Sequence, residues 1–439
     1  MGAAGESTNG LGGVPGAGGT GSAGKGSAGE TSGEAGSSGQ AGTAGEAGSS
    51  GEAGSSGEAG SSGEAGTSSS GGGGGSGGSG GSTLPTNCGT PVSGPAHCDL
   101  VAPMDQSRGQ HAAVLLENGK LLVVGGFGGP VVAAVELASA ALYDPCANTW
   151  SPAGTMGTVR SGASAVLLGD GRVLVEGGTA GGWSTKVAEL YDPSSNSWSP
   201  TAPPPGAGVA VRLNDGKVLL IGSDVVDNTT ALYNPAAGTW SPTGVQAAPR
   251  WGFETTMLDS GKVLVSGGFS IAPYSPAVLT AEVYDPSSGS WSPAGTMGRM
   301  RNGHAPVRLS SGRVLVSGGY PQAPSPIPAA STEIYDPVTN AWSAGRELPG
   351  PRWIHSTTLL RDGRVLILGG SSSSGAGSAL ASAELYNESS GEFSPTAPLN
   401  VARWSHTATL LPDGRVLVVG GNDGTKMLSS VEICTPSAP

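Results

Sequence analysis

The chain has 439 residues, of which 36% are hydrophobic and 12% charged, and its formal net charge is −12. This acidic balance argues against nucleic acid or an anionic membrane surface as a partner, because both attract a basic patch. No apolar run approaches the roughly 18 residues of a membrane-spanning helix, and residues 1–30 contain no apolar stretch of the secretory type.

Residues 1–86 consist almost entirely of Gly, Ser, Ala, Thr and Glu, and Glu or Gln recurs every six residues between Glu34 and Glu64. Such a segment cannot bury enough apolar surface to offset the entropy lost when its backbone becomes ordered. We therefore predict that residues 1–86 are a disordered stalk and that residues 87–439 form the folded domain.

The folded part repeats with a period of 45 to 52 residues. A glycine that closes a turn before Arg or Lys marks each of seven copies: Gly119, Gly171, Gly216, Gly261, Gly312, Gly363 and Gly414. Eleven residues before this glycine, six copies have an arginine: Arg108, Arg160, Arg250, Arg301, Arg352 and Arg403. The third copy has Pro205 at this position. A glycine pair follows the turn in six copies. In the first six copies a tyrosine comes next, with Trp or Phe seven residues after it.

Each copy is typical of four short antiparallel strands. In "HTATLLPDGRVLVVGG", two apolar runs flank Asp-Gly, which favours a tight hairpin because Gly accepts the positive φ of such turns. A third strand ends in Tyr-Asp-Pro, and a fourth begins at Trp. Four strands at a period near 50 indicate propeller blades, so seven hairpins predict an all-β, seven-bladed β-propeller.

This pattern resembles Kelch repeats, in the bacterial form with Arg-x-x-His before the first hairpin and Gly-Gly after it. The resemblance covers residues 98–434 and is specific to the fold rather than to an activity. Enzymes similar to galactose oxidase use such a propeller to hold copper with two tyrosines and two histidines. No adjacent Tyr-His pair and no catalytic motif occurs here, so we expect no cofactor and no metal.

The seventh copy stops at Cys434 in the Tyr position and lacks its last strand. In five copies, Trp or Phe lies ten residues before the next Arg; ten residues before Arg108 stands Cys98. We predict that an N-terminal strand starting near Cys98 completes the last blade. Because the Tyr and Trp positions face each other, Cys98 and Cys434 should form a disulfide.

The other two cysteines suggest a second disulfide. Cys146 lies in the outer turn of blade 1, and Cys88 precedes the first strand. Four cysteines allow three pairings, and the alignment favours Cys98 with Cys434 and Cys88 with Cys146; the alternative is four unrelated buried thiols. Two disulfides imply an oxidising compartment. We therefore expect a secreted, cell-surface or periplasmic bacterial protein in its mature form.

The loops at one face of the propeller are the expected binding site, because the blades hold them while their sequences vary. The candidate binding residues are Trp251, Trp353, Trp404, Arg250, Arg352, Arg403, Trp183, Tyr274 and Tyr320. A ring of aromatic side chains suits stacking on sugars or anchoring a protein partner. The alternative is that each Trp next to an Arg packs against the following blade.

Four histidines occupy one repeat position, eight residues before the turn glycine: His111, His304, His355 and His406. Other copies place Ala163, Gly208 or Phe253 there, which is typical of packing rather than of a metal site. We predict that these histidines bond to neighbouring backbone.

The sequence thus predicts a monomeric, surface-tethered or secreted interaction module that binds an unknown protein or glycan. Two alternatives stay open: a carbohydrate-active enzyme of the oxidase or sugar isomerase type, and a purely structural surface protein.

Overall fold

The computed structural model describes residues 94–222, 228–269, 278–321, 327–373 and 377–438. The predicted stalk, Cys88 and Tyr274 lie outside these ranges. The described residues form seven four-stranded antiparallel sheets arranged as the blades of a β-propeller, which confirms the predicted fold class.

The blades are numbered in the order of their innermost strands. These span Ala112–Leu115, Ser164–Leu167, Gly208–Arg212, Glu254–Met257, Ala305–Arg308, Ser356–Leu359 and Thr407–Leu410. The second strands are Leu121–Val124, Val173–Glu176, Val218–Gly222, Val263–Ser266, Val314–Ser317, Val365–Leu368 and Val416–Val419. The third strands are Ser139–Asp144, Ala188–Asp192, Thr230–Asn234, Thr280–Asp285, Thr332–Asp336, Ala383–Asn387 and Val431–Thr435. The outer strands are Thr149–Thr155, Ser197–Pro200, Thr239–Pro242, Ser290–Thr296, Ala341–Ala344, Glu392–Pro395 and, for blade 7, His97–Val101.

Two short ribbons extend from the loops of blades 1 and 2. Phe127–Gly128 pairs with Val135–Glu136, with a 3-10 turn at Val131–Ala133 between them. Thr179–Ala180 pairs with Trp183–Ser184.

The first hairpin of each blade closes at the turn glycine. Gly171 has φ +84°, and its N–H donates to the carbonyl of Leu168 at 3.2 Å. A side chain at this φ would be strained, so Gly is favoured. The adjacent Asp170 accepts the Arg172 N–H at 3.1 Å, which fixes the turn locally.

The hydrophobic core lies between adjacent blades. Every residue of the second strands in blades 1, 4 and 7 is buried, as the apolar runs of the sequence indicate. The innermost strands of blade 1 contact those of blades 2 and 7, so the first and last blades are neighbours. This contact closes the ring.

The N-terminal strand completes blade 7. His97–Val101 pairs antiparallel with Val431–Thr435, and the register places Cys98 opposite Cys434. Their sulfurs are bonded at 2.06 Å, which confirms the predicted disulfide. In the other six blades the same two positions hold a Tyr opposite a Trp or Phe, with ring centroids 4.9 to 5.3 Å apart. The disulfide therefore replaces an aromatic pair at the closing blade.

Cys146 is also disulfide-bonded. Its predicted partner, Cys88, lies outside the described residues.

Removing the closing disulfide tests how much covalent closure contributes to stability. The bond joins residues 336 positions apart. In the chain-entropy model, Cys98→Ser with Cys434→Ser should lower the free energy of unfolding by about 5 kcal/mol, because the unfolded chain regains freedom. Denaturant unfolding under non-reducing conditions measures this loss.

A matched control restores the pair that the other blades use, Cys98→Trp with Cys434→Tyr. An aromatic pair contributes about 0.5–1.5 kcal/mol beyond the area it buries, so this variant should recover only part of the loss. Equal stability of the wild type and the double serine variant would contradict a stabilising role for the disulfide.

Candidate functional site on the loop face

The loop face is the end of the ring where two segments of each blade meet. One is the lead-in loop before the innermost strand, and the other is the segment after the glycine pair. In six blades, the residue after the repeat Arg forms a backbone bridge with the residue after the glycine pair: Gly109 with Phe127, Ser161 with Thr179, Trp251 with Phe269, Asn302 with Tyr320, Trp353 with Ser371, and Trp404 with Asn422. The predicted common face is therefore present.

Five buried ion pairs hold these loops in place. They join a repeat Arg to a Glu on the third strand of its own blade: Arg160 to Glu189, Arg250 to Glu282, Arg301 to Glu333, Arg352 to Glu384, and Arg403 to Glu432. In blade 5, the Arg301 guanidinium donates to Glu333 at 2.9 Å and to the carbonyls of Gly318 and Ser331 at 2.6 and 2.8 Å. One side chain thus ties the lead-in loop, the glycine pair and the third strand together.

The arginines predicted to bind a ligand are positioned inside the blades. Arg250 and Arg403 are 0% exposed and Arg352 is 2% exposed. Burial lowers the pKa of each guanidinium, and the adjacent glutamate opposes that shift. Their guanidinium groups are therefore not exposed at the loop face, and their contacts hold the loops in position.

The second oxygen of each paired glutamate usually accepts an N–H from the lead-in loop. Glu189 accepts from Gly157 at 2.6 Å, and Glu432 accepts from Asn400 at 2.7 Å. In blade 6 the equivalent residue is Pro349, which has no N–H. This explains why the second carboxylate oxygen of Glu384 has no hydrogen-bond partner.

Two blades depart from the pair. Blade 3 has Pro205 and Ala231 in the two positions, so both charges are missing together. Blade 1 keeps Arg108 opposite Ala141; the guanidinium donates instead to the backbone and hydroxyl oxygens of Ser139, both at 2.8 Å. Burial lowers the pKa of Arg108 to about 10.

A collar of left-handed residues surrounds the mouth of the ring. The residue two after each Arg has φ between 51° and 65°: Gln110, Gly162, Gly252, Gly303, Ile354 and Ser405. Four backbone hydrogen bonds link neighbours in this collar: Ile354 N–H to Gly303, Ser405 N–H to Ile354, Gln110 N–H to Ser405, and Gly162 N–H to Gln110. The collar makes the mouth rigid across blades 5, 6, 7, 1 and 2.

The four repeat histidines lie below this collar and are buried. Each Nε2 contacts a hydroxyl of the preceding blade: His111 with Thr407, His304 with Ser266, His355 with Ser317, and His406 with Ser356, at 2.8 to 3.0 Å. Burial lowers the pKa of His111, His304 and His406 to about 3, so these rings are neutral at physiological pH. The structural role stands, but the partners are side-chain hydroxyls rather than the predicted backbone.

The predicted aromatic residues of blades 4 to 7 mostly pack on one another. Trp251 contacts Phe269 edge to face at 5.1 Å between ring centroids, and Tyr320 contacts Trp353 at 5.0 Å. Trp353 is only 6% exposed, and Trp404 packs against the cluster that contains it. These rings form an arc whose faces are largely covered.

The loops of blades 7, 1 and 2 form a second surface. We call residues 422–428, 127–136 and 179–184 the three-loop crest. The Met427 N–H donates to Gly129 at 3.0 Å, and the Val131 N–H donates to Thr425 at 3.1 Å. The Glu136 carboxylate accepts the Thr179 hydroxyl at 3.0 Å. Hydrogen bonds therefore join the three loops into one frame.

This frame exposes apolar side chains. Trp183 is 77% exposed, Val132 97% and Val135 59%. Of these, only Trp183 belongs to the predicted site. Sequence reasoning missed the two valines, although "GGPVVAAVEL" was a signal, since it is an apolar stretch in a segment that follows no repeat position.

Breaking one Arg–Glu pair should leave a buried charge without its partner. We expect Arg301→Met to lower the free energy of unfolding by about 3–5 kcal/mol. Adding Glu333→Leu removes the stranded carboxylate, so the double variant should regain much of that loss. Denaturant unfolding of both single variants and the double variant gives the coupling.

The matched control is the surface pair Arg346–Glu392, whose side chains are 64% and 60% exposed. Arg346→Met should cost less than about 1 kcal/mol. A similar loss at both sites would show that burial does not set the strength of the Arg301–Glu333 pair.

Comparison with known proteins supports a Kelch-type repeat. The model of the Kelch motif matches residues 108–157, which cover the lead-in loop and blade 1. Kelch-like protein 24 of Homo sapiens and of Rattus norvegicus is 37% identical over 102 residues, which is 23% of this chain and 16% of the relative. Spermatocyte protein spe-26 of Caenorhabditis elegans is 29% identical over 120 residues, or 26% of this chain and 20% of the relative. The matches thus span a fifth or less of these relatives.

Among solved structures, a fungal alcohol oxidase of the AA5 family in complex with copper superposes with a TM-score of 0.61. The match covers 78% of this chain and 77% of the oxidase at 18% identity, so it shows a shared fold alone. The motif match thus identifies a Kelch motif at residues 108–157, and the curated relatives resemble about a quarter of the chain.

Proposed function

We propose that this protein is an interaction module whose propeller binds a protein partner through the three-loop crest. The observation that carries the proposal is the exposure of Trp183, Val132 and Val135 on a hydrogen-bonded frame. Exposed apolar clusters on soluble proteins commonly mark interaction sites. The Kelch-type repeat supports a protein-interaction module.

The energetics of the crest suit a small interface. Full burial of a valine contributes about 1.5–3 kcal/mol, and tryptophan is among the side chains that most often dominate interfaces. Because hydrogen bonds already order the three loops, a partner would spend little free energy on fixing them.

A protein partner is favoured over a glycan by the state of the aromatic arc. Sugar binding by stacking needs an open ring face, whereas Trp353 is 6% exposed and lies against Tyr320. The glycan alternative stays a proposal for Trp251 and Trp404, which are both partly exposed.

The histidines of the described residues give no support to a copper centre of the two-tyrosine, two-histidine type. No group of three or more His, Cys, Asp or Glu side chains there is arranged to hold a metal. His111 and His304, for example, lie on different blades and contact hydroxyls of Thr407 and Ser266. We therefore derive no reaction through copper.

We further propose that the protein works as a monomer outside the cytoplasm, in a secreted, cell-surface or periplasmic setting, with residues 1–86 as a stalk. The Cys98–Cys434 disulfide supports an oxidising compartment. Within the described ranges, no helix is long and apolar enough to cross a membrane. We also propose a bacterial origin, because the Arg-x-x-His and Gly-Gly pattern resembles the bacterial form of the repeat.

Peptides selected from a random phage-displayed library on the wild-type protein provide a direct test. For peptides that bind the crest, Trp183→Ala should raise the Kd about 30-fold, corresponding to the roughly 2 kcal/mol of a central tryptophan. Fluorescence anisotropy with labelled peptides measures the change, and Val132→Ser should weaken binding in the same direction.

The matched control is Val338→Ser. Val338 is 92% exposed in the turn between the third and outer strands of blade 5, at the end of the blade opposite the loop face. The Val338→Ser variant should bind the selected peptides with unchanged Kd. Selected peptides that ignore the crest substitutions would contradict the proposal. If the protein bound a glycan on an array and Trp251→Ala abolished that binding, the result would favour the glycan alternative.

A further inference from the structure

Glu176 ends the second strand of blade 2 and is 0% exposed. Within the described part of the chain, neither carboxylate oxygen makes a hydrogen bond of normal geometry. The register places Glu176 opposite Ser164, whose hydroxyl accepts the Ala210 N–H of blade 3 at 3.0 Å. Glu176 therefore lies at the seam between blades 2 and 3. An ionised carboxylate that is buried without hydrogen bonds destabilises the fold, so the stability of this seam depends on whether Glu176 is protonated.

The same strand position serves a partner in other blades. In blades 4 and 5 it holds a serine that hydrogen-bonds the histidine of the next blade: Ser266 with His304 at 3.0 Å, and Ser317 with His355 at 2.8 Å. Blade 3 has Gly208 in the histidine position, and a Cβ added there would lie 2.2 Å from the carbonyl oxygen of Ile221. No side chain fits at this point, so Glu176 faces a blade that offers it no imidazole.

Blade 3 also lacks two features that order the loop face in other blades. Blade 3 has no Arg–Glu pair, since Pro205 and Ala231 occupy the two positions. The collar hydrogen bonds end at Gly162 on this side. The strands Ser164–Leu167 and Gly208–Arg212 pack together beside the Glu176 side chain. They are joined by the Ala210–Ser164 hydrogen bond and by Arg212, which donates to the Leu167 carbonyl at 3.3 Å.

Few charges act on Glu176. Arg160 is the charged group that influences it, and its guanidinium is already paired with Glu189 at 2.8 Å. The facing residues of blade 3, Gly208 to Val211, carry no charge. Burial raises the pKa of Glu176 to about 8, while Arg160 and the Ser164 hydroxyl act in the opposite direction.

We propose that the seam between blades 2 and 3 is a pH-sensitive joint of the ring, which is tight while Glu176 is a neutral acid and loosens when Glu176 must ionise. When the seam opens, water reaches the carboxyl group and its pKa returns towards the ordinary value of 4.5. The folded-state pKa is the higher one, so the contribution to stability is fully present below about 4.5. It is lost as the pH rises towards about 8.

Hydrogen exchange followed by mass spectrometry tests this joint between pH 5.5 and 7.5, after correction for intrinsic exchange rates. In peptides covering Ser164–Leu167 and Gly208–Arg212, the opening constant of the wild type should rise by about tenfold per pH unit. Peptides covering Ala305–Arg308 and Ser356–Leu359, at the blade 5–6 seam, are the reference. That seam contains a buried neutral His355, so its opening should stay constant or fall over the same range.

Two variants separate the carboxyl group from packing. Glu176→Gln keeps the shape without a titrating group and should abolish the rise at the blade 2–3 seam. If this variant does not fold, Glu176→Ser copies the residue of blade 4 and serves the same purpose. Equal pH dependence in the wild type and the folded variant, or the same rise in the reference peptides, would overturn the proposal.

Discussion

The loop face depends on one buried interaction, the guanidinium that each of five blades directs from its lead-in loop to a glutamate on the third strand. The strand pairing of a blade does not by itself fix the conformation of its loops. The arginine fixes it, because its guanidinium donates both to the carbonyl of a glycine pair and to the third-strand segment, as Arg301 does. A buried pair gives less net stability than its Coulomb energy suggests, since both ions lose hydration. Its larger effect is geometric, because the guanidinium fixes the lead-in loop against the glycine pair and the third strand.

The exceptions follow the same electrostatic logic. Blade 3 loses both charges, with Pro205 and Ala231, so no ion is stranded. Blade 1 loses only the acid, and Arg108 is supported instead by neutral oxygens of Ser139. This pairing could have been predicted, because Glu precedes the Tyr or Cys position by two residues in the five blades that keep both charges. A glutamate at a strand position that is otherwise apolar needs a partner of opposite charge when it is buried, and the repeat arginine is the basic residue that recurs with it.

Much of the fold could be predicted because equivalent repeat positions pack in the same way in every blade. Offsets between Trp and Arg placed Cys98 opposite Cys434, and the register confirms that pair. The fate of each loop tryptophan could not be predicted in the same way, since its exposure depends on the neighbouring blade. Trp353 is covered because Tyr320 of blade 5 reaches it. The exposure of Val132 could not be predicted, because this residue lies in a loop that has no counterpart in the other blades.

The irregular sectors of the ring are where function and regulation are best sought. Blades 5 to 7 keep the Arg–Glu pair, the histidine and the collar, and their loop aromatics pack on each other. Blades 1 and 2 instead carry the exposed apolar side chains of the crest, and blade 3 lacks the Arg–Glu pair that holds the loops of its counterparts. A repeat protein needs most copies to hold the ring and can change the remainder at modest cost, because each blade contacts only its neighbours. The three-loop crest and the Glu176 seam share blade 2, since one contains its Trp183 loop and the other the end of its second strand.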